Sequence, residues 1–348
     1  MHAVAATVVV AVSSVDGPTR TRSSARRERC SFVDVILALG ALTVGLVVLV
    51  KAADAFVVAA ESIAVHRRWS PAVIGAVVVG FGTSLPELVT SAVAAFGGEA
   101  ELAIGNAAGS NVANLLLVLG VAAMVAPVRG TGRGPGRDVA VASAGGVLLV
   151  ALALTGRLGP VAGSVLLAAL GVAVWWQVRA GRSMPAVGGL QASDLEVGAS
   201  TTRALLGLVG VVVGAQLLVW GASGIATGLG VPTIVIGSVL VAIGTSLPEL
   251  ATAIASARRG QTELLLGNLI GSNAFNAMGV VGVAALVAAA RGDAMTVDVA
   301  SLAVVVAAAV ITTVVGVWLW RLPAVGRVAG ALLVAVYLVA VPALVLAS

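Results

Sequence analysis

Long apolar runs separated by short polar turns dominate the chain. They cover roughly residues 32–64, 71–96, 102–126, 138–155, 159–179, 203–228, 232–257, 264–290, 298–320 and 324–347. Each is close to the about 20 apolar residues that one helical bilayer crossing requires. The pattern predicts about ten transmembrane helices in an all-α polytopic membrane protein.

Composition agrees with this picture: 59% of residues are hydrophobic, 10% are charged and the mean hydropathy is +1.11. A soluble domain carries about 25% charged residues, so an ordinary soluble enzyme is excluded. Ten crossings leave no room for a large soluble domain. The 43 glycines and 3% aromatic content favour close helix packing through small residues. Cys30, the single cysteine, excludes an internal disulfide framework and a thiolate cage, and two histidines, His2 and His66, argue against a multi-His metal site.

The net charge of +5 does not point to nucleic acid, because the charges punctuate the apolar runs. Counted alternately, one set of turns receives Arg67, Arg68, Arg129, Arg133, Arg137, Arg179, Arg182, Arg203, Arg258, Arg259, Arg321 and Arg327; the other receives only Arg157 and Arg291. The positive-inside rule puts the first set in the cytoplasm, and the start of the first helix and the C-terminus outside. Residues 1–31 break the scheme, since Arg20, Arg22, Arg26, Arg27 and Arg29 then lie outside. The apolar stretch Ala3 to Val12 is too short to span and poorly flanked for a signal peptide. This segment reads as a disordered basic extension or as the product of a mis-called start codon, with a cleaved targeting piece as the alternative.

The chain repeats itself. Gly82-Thr83-Ser84-Leu85-Pro86-Glu87-Leu88 recurs letter for letter as Gly244-Thr245-Ser246-Leu247-Pro248-Glu249-Leu250. A second run, Gly105-Asn106-x-x-Gly109-Ser110-Asn111-x-x-Asn114, recurs as Gly267-Asn268-x-x-Gly271-Ser272-Asn273-x-x-Asn276. Thr83 and Thr245, Glu87 and Glu249, Ser110 and Ser272, and Asn114 and Asn276 are all 162 residues apart. With five helices per half, the copies enter the membrane from opposite sides and the repeats are inverted. The expected organisation is a first repeat over 32–179, a cytoplasmic linker over 180–202 and a second repeat over 203–348.

Gly and Pro inside an apolar helix break it, and the freed carbonyls survive at membrane depth only where they line a polar cavity or meet a ligand. A glutamate there costs about 3 kcal/mol or more and marks an ion pathway. Glu87 and Glu249 together balance one Ca²⁺ or two Na⁺, hard cations that favour carboxylate, hydroxyl, amide and carbonyl oxygens. Thr83, Ser84, Ser110 and Asn114, with Thr245, Ser246, Ser272 and Asn276, supply neutral oxygens. A lone Ser, Thr or Asn in a membrane helix is more often packing or interhelical glue, and duplication within a broken motif is what separates these residues from that reading. Asn106, Asn111, Asn268 and Asn273 lie on other helix faces and read as supports of the break. Lys51 and Asp54 are expected to pair along the first helix. Glu61 reads as a snorkelling end, and Glu99, Glu101 and Glu263 as solvated loop edges.

Both motifs, GTSLPEL and GNxxGSNxxN, resemble the alpha repeats of the calcium/cation antiporter superfamily, and are most similar to its prokaryotic sodium/calcium exchangers. The motifs cover about forty residues in each half, twice, in order and in frame. The resemblance implies cation ligation by Thr83, Ser84, Glu87, Ser110 and Asn114 with Thr245, Ser246, Glu249, Ser272 and Asn276. It adds the backbone carbonyls of Gly80 and Ala242. It implies Na⁺/Ca²⁺ antiport by alternating access in a prokaryotic inner membrane, Ca²⁺ export being driven by the inward Na⁺ gradient. No resident cofactor, nucleic acid or obligate protein partner is implied; the bilayer and the two ions are the partners. Some members carry Asp at the position of the second Asn, whereas Asn114 and Asn276 are neutral here, which leaves the coupling ion open to protons. An intramembrane hydrolase using Ser84 or Ser246 would lack a nearby base. A cation channel could use the same oxygens, but an inverted duplication around one centre suits alternating access better.

Overall fold

In the computed structural model the described residues are 32–67, 69–129, 135–181, 197–228, 242–321 and 323–347. They form α1 (Phe32–Arg67), α2 (Pro71–Thr83), α3 (Leu85–Gly97), α4 (Ala100–Val125), α5 (Pro135–Ala153), α6 (Pro160–Gly181) and α7 (Val197–Gly228). After them come α8 (Ala242–Thr245), α9 (Leu247–Arg258), α10 (Thr262–Ala290), α11 (Val299–Arg321) and α12 (Arg327–Ala347). Among the described residues, seven helices are long and apolar enough to cross a membrane, or eight when α2 and α3 count as one bent span. The expected extension at 1–31, most of the linker at 180–202 and the start of the apolar run at 232–257 lie outside the described residues.

Local chemistry sets the helix ends. Ser70 precedes Pro71, and its hydroxyl accepts from the Val73 amide at 3.3 Å, an N-cap followed by proline in the first turn. Gly98 and Gly260, 162 residues apart, follow α3 and α9 with φ of +85° and +70°, the left-handed step that favours glycine at a helix C-terminus. Asp298 caps α11 by accepting from the Ser301 amide at 2.8 Å. Hydrogen bonds from the Ser301 side chain and backbone hold this exposed carboxylate below its usual range.

Two apolar clusters organise the bundle. The larger is centred on α4 and α10 and includes Ile104, Leu115, Leu119, Leu265, Leu269 and Val280; 72% of the apolar window in each of these two helices is buried. The smaller fills the seam between α1 and α7 with Leu49, Phe56, Val57 and Val211. That seam is close because glycines face it: a Cβ at Gly214 would lie 2.6 Å from the Leu49 nitrogen, and one at Gly207 would lie 2.9 Å from Phe56. The outer faces expose Val47, Val161, Val172, Leu206, Val314 and Leu338, large apolar side chains that suit lipid rather than water.

Four two-residue strands stitch turns together. β1 (Val128–Arg129) pairs antiparallel with β4 (Ala324–Val325), and β2 (Arg157–Leu158) pairs with β3 (Met295–Thr296). Each pair joins a turn of the first half to a turn of the second. The first pair lies among the arginine-rich turns, where Arg137 stacks on Trp176 and Arg179 on Trp175, 5.9 and 5.5 Å from the ring centroids.

One expectation is corrected. Asp54 does not pair with Lys51; it binds Arg259, at 2.8 Å from Nη2 and 2.9 Å from Nε. The turn after α9 comes down beside α1, so a guanidinium from another helix offers two donors where Lys51 offers a single flexible ammonium.

Candidate functional site

The repeated heptapeptide breaks its helix at one residue. Ser84 separates α2 from α3, which are bent by 44°; Ser246 separates α8 from α9. The two serines have nearly the same backbone, φ −84° and ψ 6° against φ −87° and ψ 1°, the bridge conformation that interrupts a helix without reversing it. Pro86 and Pro248 then sit in the first turn of the new helices, where their missing N–H is harmless. Glu87 and Glu249 lie in those same first turns, with no solvent exposure. The positive end of each short helix dipole therefore faces a buried carboxylate.

The halves serve each other's glutamates. Ser84 Oγ donates to Glu249 Oε1 at 3.2 Å, while the hydroxyl of the neighbouring Thr83 donates to the Val79 carbonyl at 3.0 Å. Glu87 receives the Thr245 hydroxyl from the second half, together with Ser110 Oγ at 3.5 Å from its own half. The two carboxylates are near enough to interact electrostatically. Ser272 Oγ donates to the Gly80 carbonyl at 3.2 Å, so a backbone oxygen of α2 meets the second motif of the opposite half. Ala242 is the first residue of α8.

The second motif carries a change of helix type. At Asn114 and again at Asn276 the helix widens to a π-helical turn, over Asn114–Val118 and Asn276–Val280. A further π turn, Gly75–Val79, precedes Gly80. Such turns accommodate an extra residue and recur at functional sites. The crossing of α2 and α10 is tight: side chains at Gly267 or Gly271 would collide with the backbone of Ala72 or Ala76, and one at Gly80 would lie 2.9 Å from the Ser272 nitrogen.

The four remaining motif asparagines do more than lie on other faces. Asn111 Nδ2 donates to the Asn273 carbonyl and Asn273 Nδ2 to the Asn111 carbonyl, both at 3.1 Å. Asn114 Nδ2 donates to Asn273 Oδ1 at 3.1 Å, so an asparagine of the supporting set touches one of the expected ligands. Asn268 Oδ1 lies 3.3 Å from Thr83 Oγ1, and its Nδ2 donates to Thr252 at 3.1 Å. Asn106 donates to Ser91 Oγ at 2.9 Å and to the Glu87 carbonyl at 3.2 Å. Thr312 in α11, which accepts from Asn273 at 3.1 Å, carries no mark in the sequence beyond being a hydroxyl in an apolar helix. Its counterpart 162 residues earlier is Val150.

Several oxygens at this centre have no protein partner. Among the described residues, buried side-chain polar atoms without a hydrogen bond include Glu87 Oε2, Glu249 Oε2, Ser246 Oγ, Asn114 Oδ1 and Asn276 Oδ1. All atoms in that condition except Glu61 Oε1 and Ser143 Oγ belong to the two motifs. An unpaired buried oxygen costs about 1–3 kcal/mol and a buried carboxylate more. Two carboxylates, hydroxyls and amide oxygens are the donor set of a hard cation, and their repetition around one buried centre is the layout of a membrane transporter.

Comparison with known proteins gives the class a family. The family model described as sodium/calcium exchanger protein matches residues 37–179 and 200–346. CaxA of Alkalimonas amylolytica, provisionally named an antiporter, is 35% identical over 85% of this chain and 94% of its own length. The sodium/calcium exchanger MaX1 of Methanosarcina acetivorans is 30% identical over 70% of this chain and 81% of its own. A solved structure of the sodium-calcium exchanger NCX_Mj, soaked with Na⁺ and Sr²⁺, is 33% identical, with a TM-score of 0.77 and coverage of 88% of this chain and 98% of that one. The chain belongs to the sodium/calcium exchanger family and is an integral membrane protein with the exchanger fold.

Proposed function

We propose that the protein exchanges Na⁺ for Ca²⁺ across a prokaryotic inner membrane by alternating access, exporting Ca²⁺ at the expense of the inward Na⁺ gradient. One observation carries the reading: Glu87 and Glu249 are fully buried, each keeps an oxygen without a protein partner, and unpaired oxygens of Ser246, Asn114 and Asn276 accompany them. Thr83, Ser84, Glu87, Ser110 and Asn114, with Thr245, Ser246, Glu249, Ser272 and Asn276, hold the cations, helped by the carbonyls of Gly80 and Ala242. The relatives' names, antiporter and sodium/calcium exchanger, support this assignment.

The mechanism follows from charge. Two carboxylates neutralise one Ca²⁺ or two Na⁺, so either load leaves the buried centre near neutrality and free to cross the low-dielectric interior. The unloaded pair would carry two buried negative charges, a state whose desolvation opposes the empty crossing and so couples the two fluxes. Ten helices in two inverted repeats, 32–179 and 203–348 joined by a linker at 180–202, frame the centre. The strand pairs support that topology, because each joins two turns that the ten-helix alternation puts on one face. The arginine-rich turns face the cytoplasm and the C-terminus lies outside.

The test is radioactive Ca²⁺ uptake into proteoliposomes loaded with Na⁺, compared with an outward proton gradient without Na⁺ and with Glu249→Gln. Uptake that requires internal Na⁺ and vanishes in the variant is the expected result. Uptake driven only by protons would assign the coupling to H⁺, and no uptake under either gradient would overturn the choice of substrate.

A further inference from the structure

Away from the buried centre, α1 and α7 leave a groove of about 570 Å³ on the outer surface, lined by Val48, Ala52, Val58 and Leu206 and by two exposed cations, Lys51 and Arg203. Gly207, one of its lining residues, packs on Phe56, and the same two helices also meet where the Ser62 and Ser200 hydroxyls lie 2.7 Å apart. Among the described residues neither cation has an ion pair. The acid nearest in sequence to Lys51, Asp54, is already bound to Arg259. The exposed residues around it, Val47, Val50, Leu205 and Val209, form part of the lipid-facing surface, and Arg203 belongs to the arginine-rich side. An apolar slot with an uncompensated pair of positive charges, opening on lipid at that side, matches a phosphate head group with an attached acyl chain.

We propose that this groove is a binding site for an anionic phospholipid, its phosphate drawn to Lys51 and Arg203 and its acyl chain laid along Val48, Val58 and Leu206. A zwitterionic lipid brings a cationic group toward the same two charges and is disfavoured. The basic segment at 1–31, with Arg20, Arg22, Arg26, Arg27 and Arg29, has the wrong sign to occupy it. Lipid at this seam touches both α1 and α7 and so ties their packing to membrane composition.

The full chain, purified in detergent, is examined by native mass spectrometry with phosphatidylglycerol and phosphatidylcholine of identical acyl chains. The wild type is expected to retain phosphatidylglycerol with about tenfold preference or more, two cations each contributing attraction to an anionic head group. The preference should vanish in Lys51→Gln/Arg203→Gln and persist in Arg137→Gln, a cation outside the groove. Leu206→Trp, which fills the slot and keeps both charges, should also reduce retention. Equal retention of the two lipids, preference surviving the double variant, or displacement by soluble glycerol phosphate alone would overturn the proposal. Because binding is read without any ion gradient, its failure is distinct from failure of the exchange reaction.

Discussion

Asn111 and Asn273, 162 residues apart, hold each other: each side-chain amide donates to the other's backbone carbonyl at 3.1 Å. The contact is reciprocal, as a two-fold relation between the motifs requires, and it fastens α4 to α10 at the heart of the bundle. The two bonds are not equal in what surrounds them, since Asn273 also meets Asn114 and Thr312.

That inequality predicts a ranking. Asn273→Ala should destabilise more than Asn111→Ala, by about 1–3 kcal/mol per partner left unsatisfied. The double variant should lose less than the two single losses combined, because each single change already breaks part of the same network. Thermal unfolding of the four proteins in one detergent gives both results, and additive losses would argue against the shared network.

Replacing Glu87 or Glu249 with Gln removes charge and keeps shape. Transport should fall to background while the fold survives, with Tm equal to or above wild type in the absence of ions, because a buried charge has been removed. Ca²⁺ should stabilise the wild type by about 2.7 kcal/mol at a hundred times its Kd and should not stabilise the variants. Ca²⁺-dependent shifts in Tm that persist in both variants would place the ion elsewhere.

Close helix approach makes glycine substitutions position-specific. Gly267→Ala and Gly271→Ala should destabilise by about 1–3 kcal/mol through overpacking against α2, since a Cβ at either would meet the α2 backbone. Gly40→Ala in α1, where nothing lies within 4 Å, should be neutral or slightly stabilising by removing a flexible residue from a helix. Similar Tm changes at all three positions would contradict the packing described.

The Asp54–Arg259 pair is a weak fastening, with side chains 55% and 35% exposed. Arg259→Gln should therefore lower stability by no more than about 1 kcal/mol, and by less in high salt than in low. A salt-independent loss of several kcal/mol would show that Arg259 does more than pair with Asp54.

The sequence made the apolar spans, the duplicated heptapeptide and the burial of its glutamates legible, because hydropathy and internal repetition are local signals. The break was legible too, from Gly82 and Pro86, although the interrupted residue is Ser84. The π turns at 75–79, 114–118 and 276–280 were not, since no residue type marks them and packing decides them. Nor was the crossed service in which Thr245 hydrogen-bonds Glu87 while Ser84 hydrogen-bonds Glu249. A pattern read along one chain shows which residues are repeated, but not which copy faces which. The Asp54 partnership failed for the same reason, because Arg259 is 205 residues away.

The matching backbones of Ser84 and Ser246 carry a last implication. Two hinges of one backbone shape give each half the same kind of break, although the groups around them differ: Ser84 Oγ donates to Glu249 while Ser246 Oγ has no partner among the described residues, and Thr312 stands where the first half has Val150. Under the proposed exchange, coupled fluxes remain thermodynamically reversible whatever the differences between the two halves. Net direction is then a property of the ion concentrations imposed on the protein, so swapping the Na⁺ gradient across the membrane should reverse the movement of Ca²⁺ in the proposed exchange with no change in the chain.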